Sequence, residues 1–367
     1  MKTPFIDLKR EYLSIKKEVK QRIIKVLEDG EYVYGKETKR FEKKFAKLVG
    51  SNYCLGTSSG TASLEIALRA LDIGKGDEVI TTPLTFIATV EAIINVGARP
   101  VFVDISENTL NLDVFGMEAA VTKKTRAVIP VHLHGMCVEM DPLLKIAKKC
   151  GLFVIEDASH AIGSLYRGKP VGSLGDIGCY SLYPSKSFGA YGNAGAVVTK
   201  SRNYNNKMRM LADHGRLKDR NIHQSIGSTL TINNIQSAIL NVKLSRFKAR
   251  ARKKINIAKR YTEAFQGLGL ITPKIFPHCS PVFYVYSILV EKRDRFRNFM
   301  HKHGVETRIY YPIPLHLQPS LAFLNYKKNA FPMVEKAAKT VVSLPFYPEM
   351  TNREVEYVIQ IVRKYFN

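Results

Sequence analysis

Cysteine is scarce in this sequence and has no pattern. Five residues, at 54, 137, 150, 179 and 279, make an odd count with no C-x-x-C spacing. Neither a zinc motif nor a disulfide framework is indicated, which fits thiols kept reduced in a cytoplasm. A leader is not expected either: the opening ten residues carry Asp7 and no apolar stretch. Long hydrophobic runs are missing too. The most apolar later stretch, Thr85 to Val103, is broken by Glu91, Asn95 and Arg99, so no segment can span a bilayer. There are no internal repeats and no low-complexity linker. Acids are the last shortage, with 32 Asp and Glu against 56 Lys and Arg, a formal net charge of +24.

Such an excess admits nucleic acid, an anionic membrane surface or anionic ligands as partners. The cations are scattered, however, apart from Arg246 to Arg260. There Phe247, Ala251, Ile255 and Ala258 recur at helical spacing, so the cations are expected on the solvated face of a long helix. Attraction of a phosphorylated ligand is the second reading. No nucleic-acid motif accompanies the stretch.

What is present is enough for a large core: 45% of 367 residues are apolar, sufficient for two domains or one large α/β domain with an appendage. Apolar spacing predicts helices over 8–29 and 37–49. From Tyr53 short apolar runs at 53–56, 78–82, 100–103, 126–131 and 153–156 alternate with helical segments near 61–71, 86–96, 114–121 and 140–150. This alternation predicts a mainly parallel sheet covered on both faces, with ligands at the carboxyl ends of the strands. Strands near 177–182 and 194–199 follow, then helices over 201–213 and from about 232 into the basic stretch. Residues 283–290 alternate as a strand, 293–303 are helical, 306–311 extended, and 351–365 form a closing helix. A large domain over 1–245 and a smaller one over 246–367 are expected.

Four pieces fall at strand ends. Thr57-Ser58-Ser59-Gly60-Thr61 opens a helix, where backbone N–H groups and hydroxyls can cradle a phosphate; ordinary capping explains it equally well. Phe86 stands where it can stack on an aromatic ring, or simply fill the core. Asp157 ends the run Phe153-Val154-Ile155-Glu156, where a carboxylate can pair with a pyridinium nitrogen or cap a turn, and His160 follows three residues on. Lys186, in Tyr183-Pro184-Ser185-Lys186 with Ser181 before it, sits on a tight glycine-flanked connection past a strand. Burial there lowers an amine's pKa and makes it a nucleophile or base near neutrality; a surface lysine in a loop is the plain alternative. The order suits an aldehyde cofactor carrying a phosphate and a ring nitrogen.

With those residues in view, the chain resembles the DegT/DnrJ/EryC1/StrS family of sugar aminotransferases over almost its whole length. The resemblance rests on Phe5-Ile6-Asp7-Leu8, Ser59-Gly60-Thr61-Ala62, Pro130-Val131-His132-Leu133-His134-Gly135, Ile155-Glu156-Asp157-Ala158, Gly172-Ser173-Leu174-Gly175-Asp176, Tyr183-Pro184-Ser185-Lys186, Asp213-His214-Gly215, and Tyr311-Pro312-Ile313-Pro314-Leu315-His316-Leu317-Gln318.

It implies a fold type I enzyme using pyridoxal 5'-phosphate, with the pyridoxamine form in the second half-reaction. It also implies a smaller C-terminal α+β domain and no metal. Lys186 would bond the cofactor aldehyde, Asp157 pair with the ring nitrogen, Phe86 stack on the ring, and His160 sit near it. Gly60, Thr61 and Ser181 would hold the phosphate, while Tyr183, Tyr311 and His316 would meet the substrate. The family's dehydratases carry histidine at the position of Lys186, so transamination is implied. The implied reaction moves an amine from L-glutamate to a keto group, C3 in preference to C4, of a nucleotide-linked hexose for amino-sugar and surface-polysaccharide synthesis. The rival is a regulatory or catalytically degenerate member. A homodimer with active sites near its interface is implied, without nucleic acid or membrane. One element departs: Thr229 and Thr231 stand where the family has Asn-x-Arg, whose Asn reaches the partner's cofactor phosphate.

Overall fold

The computed structural model describes residues 1–106, 109–216 and 221–367. Helices α1 (Leu8–Asp29) and α2 (Lys36–Leu48) come first. Asp7 caps α1 by accepting the Arg10 N–H, and Gly30 closes it at φ 67°, a left-handed turn that glycine adopts without strain. An alternating series follows: β1 (Tyr53–Thr57), α3 (Gly60–Ala70), β2 (Glu78–Thr81), α4 (Ala88–Asn95), β3 (Arg99–Phe102), α5 (Val114–Ala119), β4 (Thr125–Val128), α6 (Met140–Cys150) and β5 (Phe153–Asp157). Two short strands, β6 (Leu165–Tyr166) and β7 (Lys169–Pro170), precede β8 (Ile177–Ser181), β9 (Gly195–Thr199) and α7 (Arg202–Ala212).

The seven-stranded sheet has the order β1-β9-β8-β5-β4-β2-β3. Strands β3, β2, β4, β5 and β8 are parallel neighbours, while β9 runs against both β8 and β1. Successive strand residues enter different cores. Val79, Ala127, Ile155, Cys179 and Val197 pack with α3, α4 and α7, whereas Ile80, Val128, Val154, Tyr180 and Val198 pack with α2, α5 and α6. Burial on both faces is why these strands read as continuous apolar runs. The mainly parallel sheet sandwiched by helices is the expected fold.

Helix α8 (Asn234–Ala264) then runs unbroken for 31 residues. The expected division at 245/246 falls inside it. Leu240 and Phe247 join the core of the large sheet, while Ile257, Ala258 and Tyr261 join a second core with the C-terminal elements. In its basic stretch Arg246, Lys248, Arg252, Lys253 and Lys259 are exposed, as a solvated face requires, while Lys254 is buried and Ile255 exposed against that expectation. The remaining elements are β10 (Cys279–Ser280), β11 (Tyr286–Leu289), α9 (Arg293–Lys302), α10 (Pro332–Thr340), β12 (Val341–Leu344) and α11 (Asn352–Phe366). Strand β11 pairs with β12 and bridges through Leu289 to Ile271, and β10 joins β6 and β7. Among the described residues, no helix is long and apolar enough to cross a membrane.

Candidate active site

Because β1, β2, β5 and β8 share one direction, their carboxyl ends lie along one edge of the sheet, where the reversed β9 begins. A cleft of about 470 Å³ opens there, a size suited to a small cofactor. It gathers Gly60 and Thr61 after β1, Phe86 after β2, Asp157 at the end of β5, Ser181 at the end of β8, and Lys186 beyond it. His160, Tyr183 and Tyr311 line the same space.

The phosphate-sized corner follows from local chemistry. The hydroxyl of Ser59 accepts the Ala62 N–H at 3.0 Å and caps α3. The leading N–H groups of a helix have no acceptor within it, and those of Gly60 and Thr61 belong to residues at the cleft. A Cβ at Gly60 would stand 2.8 Å from the Ser181 Cβ, so only glycine lets α3 close against that serine. The Ser181 N–H is held by Ser159 Oγ at 3.1 Å.

Asp157 is buried and fixed through both oxygens. Thr89 Oγ1 donates to Oδ2 at 2.8 Å and the Ser159 N–H to Oδ1 at 3.1 Å. Thr85 Oγ1, 3.0 Å from Thr89 Oγ1, extends the chain of hydroxyls. Beside it, buried Glu156 accepts N–H groups from Gly172 (2.7 Å), Leu174 (2.6 Å) and Gly175 (2.7 Å), and meets His132 Nε2 at 3.0 Å. Burial alone would raise its pKa, but His132 and these amides outweigh it and hold the carboxyl below its usual range.

Lys186 lies on a loop with little freedom. Its N–H donates to Tyr183 O at 2.9 Å, and a Cβ at Gly189 would come within 2.4 Å of the same carbonyl. Two buried lysines of α8 brace the loop: Lys243 Nζ donates to Gly189 O at 2.6 Å, and Lys254 Nζ to Ser187 Oγ at 2.9 Å. The Lys186 amine lies 4.6 Å from the centre of the Tyr284 ring. Burial lowers its pKa to about 8, against the opposing pull of Asp157.

His160 stacks on Tyr284 with ring centres 4.4 Å apart, and the His134 N–H donates to its Nδ1 at 3.3 Å. Burial, then the nearby Lys186 and His134, push its pKa well below the usual value, so the ring is neutral. Phe86 is 54% exposed and 6.1 Å from Tyr311, an aromatic side chain at the cleft rather than in the core. The residues present therefore fit a phosphorylated aromatic aldehyde, with a helix-end cradle, a carboxylate, an open aromatic face and an amine.

His316 departs from expectation. It is buried, bonded through Nε2 to Glu335 at 3.1 Å and packed edge-on against Phe331, away from the cleft. Its histidine-carboxylate pair is a core contact, and the substrate role is not supported within the chain. Thr229 bonds His214 Nε2 at 2.7 Å, and Thr231 bridges to Thr57 beside the cradle. Sequence reasoning missed Thr89, which orients Asp157, and Tyr284, which underlies both His160 and Lys186. Tyr284 looked like one more aromatic in a strand; it precedes β11, and its N–H goes to His134 O at 2.8 Å.

Residues 13–363 match the model of the DegT/DnrJ/EryC1/StrS aminotransferase family. A "pleiotropic regulatory protein" of Geobacillus stearothermophilus is 40% identical over 369 residues, covering 100% of this chain and 99% of the relative. The UDP-N-acetyl-3-dehydro-alpha-D-glucosamine 3-aminotransferase of Acidithiobacillus ferrooxidans is 37% identical, covering 98% and 97%. The crystal structure of S. venezuelae DesV in complex with a ketimine intermediate superposes with a TM-score of 0.98 at 34% identity, covering 100% and 99%.

Proposed function

The chain belongs to the DegT/DnrJ/EryC1/StrS aminotransferase family, and on that premise we propose that it transfers an amino group from L-glutamate to the C3 keto group of a nucleotide-diphosphate-linked hexose. The product would feed amino-sugar and surface-polysaccharide synthesis. Pyridoxal 5'-phosphate, the family's cofactor, supplies when bound an aldehyde that exchanges amines and a ring that draws electrons from the reacting carbon. Gly60, Thr61 and Ser181 would hold its phosphate, Phe86 would cover the ring, and His160 would meet a ring substituent. Asp157, with both oxygens fixed by Thr89 and Ser159, would keep a proton on the ring nitrogen.

Lys186 does the proton work. With a pKa near 8 its Nζ is partly uncharged around neutrality, so it can take the proton leaving Cα of the donor. In the second half-reaction it would take a proton from the carbon bearing the amine and deliver it to C3 of the sugar. Tyr183 and Tyr311 line the cleft where sugar hydroxyls arrive. The observation that carries this reading is the convergence of Lys186 and Asp157 on the open end of α3 within one cleft.

Supplying the holoenzyme with glutamate and either a 3-keto or a 4-keto UDP-hexosamine tests it. Amine formation on the 3-keto sugar is expected, and turnover of the 4-keto sugar alone overturns the regiochemistry. A regulatory role without turnover, suggested by the name of the Geobacillus relative, requires that glutamate leave the cofactor spectrum unchanged. A homodimer and a cytoplasmic location are part of the proposal; five cysteines outside any disulfide support the second. Sedimentation at twice the chain mass tests the first.

A further inference from the structure

The cysteine spacing indicated no metal site, but folding brings together donors far apart in the chain. We propose that Glu139, His278 and Cys279 bind a thiophilic divalent cation of the zinc class, with Cys137 as fourth donor. The carboxylate, imidazole and thiol donor atoms all lie within 4.8 Å of one another. His278 Nε2 is 2.9 and 3.0 Å from the two carboxylate oxygens of Glu139. The Cys137 thiol lies beside that of Cys279. Two sulfurs, one nitrogen and one oxygen suit tetrahedral zinc, whose bonds of about 2.0–2.3 Å place ligands roughly 3–4 Å apart. A contraction of about an ångström brings Glu139, His278 and Cys279 onto that geometry, and Cys137 joins by releasing its contact with Leu165 O at 3.4 Å.

The frame around these donors is already rigid. Cys279 pairs with Tyr166 between β10 and β6, and the Arg167 N–H donates to His278 O at 2.7 Å. The ring of Phe276 stacks on His278 at 5.7 Å and that of Tyr166 meets it edge-on at 5.1 Å. Glu139 stands at the cap position of α6 without a side-chain capping bond, so its carboxylate is not committed to the helix. Glu139 and His278 are partly exposed and give an ion a way in, while both thiols are buried. The plain alternative is a histidine-glutamate pair above two core thiols, with no affinity for metal. Cys137 and Glu139 follow His134, whose N–H holds His160, and His278 and Cys279 precede Tyr284 on the cleft wall, so an ion there braces that wall and takes no part in transfer.

Holoenzyme freed of metal by a chelator under reducing conditions is titrated with Zn²⁺ and separately with Co²⁺. One zinc per chain is expected to survive gel filtration. Cobalt should give visible tetrahedral thiolate bands at wavelengths beyond the cofactor's own. Zinc affinity should fall about tenfold or more in Cys279→Ser and in His278→Gln; the partly exposed histidine serves if the buried serine variant does not fold. Equal zinc retention by wild type and folded variants would overturn the proposal. So would the absence of the cobalt bands, or a Cys137–Cys279 disulfide that excludes metal.

Discussion

Burial gives Lys186 its reactivity, and a second buried lysine shows the same effect without the chemistry. Since the Lys186 pKa stands near 8, cofactor uptake by the apoenzyme should speed up with pH about a midpoint near 8. Stopped-flow absorbance checks this, and Asp157→Asn should move the midpoint down, because the carboxylate favours the charged amine. Lys254, also deprived of water, has its pKa lowered to about 7, with the charge of Arg250 adding to the effect. A folded pKa below the unfolded value means the unfolded chain binds more protons between about 7 and 10.5, so stability rises with pH across that window and is lost as pH falls through it. Lys254→Met should flatten that rise in urea unfolding, at the cost of the hydrogen bonds to Ser187 and Tyr284 O. Among single residues, placement was legible where chemistry and chain position coincide: Lys186, Asp157 and Gly60 all line the cleft. The sequence did not foretell that His316 is buried against Glu335 outside the cleft, and it was silent on Thr89, which reaches Asp157 from α4.

Elements deliver these residues, and their ends carry the constraints. Helix α3 must approach β8 closely enough that Gly60 cannot carry a side chain; Gly60→Ala should weaken cofactor binding about tenfold or more while costing about 1–3 kcal/mol of stability, the usual penalty for overpacking. Spectral titration and thermal unfolding separate the two. The turn over Gly172 to Gly175 wraps its amides around Glu156, one residue before Asp157. Glu156→Ala leaves the buried Gly172 N–H and His132, and the half-buried Leu174 and Gly175 N–H groups, without their acceptor, and about 3–5 kcal/mol should be lost in denaturant titrations. Strands and helices of the large sheet were legible because two-sided burial makes each strand a short apolar block between amphipathic helices. The strand expected over 283–290 shortened to Tyr286–Leu289, since Tyr284 turns its N–H to His134 instead of a neighbouring strand. The two-residue strands β6, β7 and β10 carry too few residues for any period to register.

At the scale of the whole molecule, the charge of +24 is scattered, and the basic stretch of α8 is a solvated face at Arg246, Lys248, Arg252, Lys253 and Lys259 with Lys254 alone turned inward. A cationic molecule should still draw a nucleotide diphosphate to itself, so raising salt should increase the sugar's KM several-fold with kcat little changed. The central claim is that Lys186 and the cleft around it make a transaminase centre. Borohydride reduction of the cofactor-loaded protein, followed by peptide mass spectrometry and repeated after adding glutamate, tests it most directly. A cofactor adduct is expected on Lys186, lost when glutamate is added first, with none in Lys186→Ala. An adduct on another lysine, or the same lysine-bound absorption band in wild type and Lys186→Ala, would contradict it.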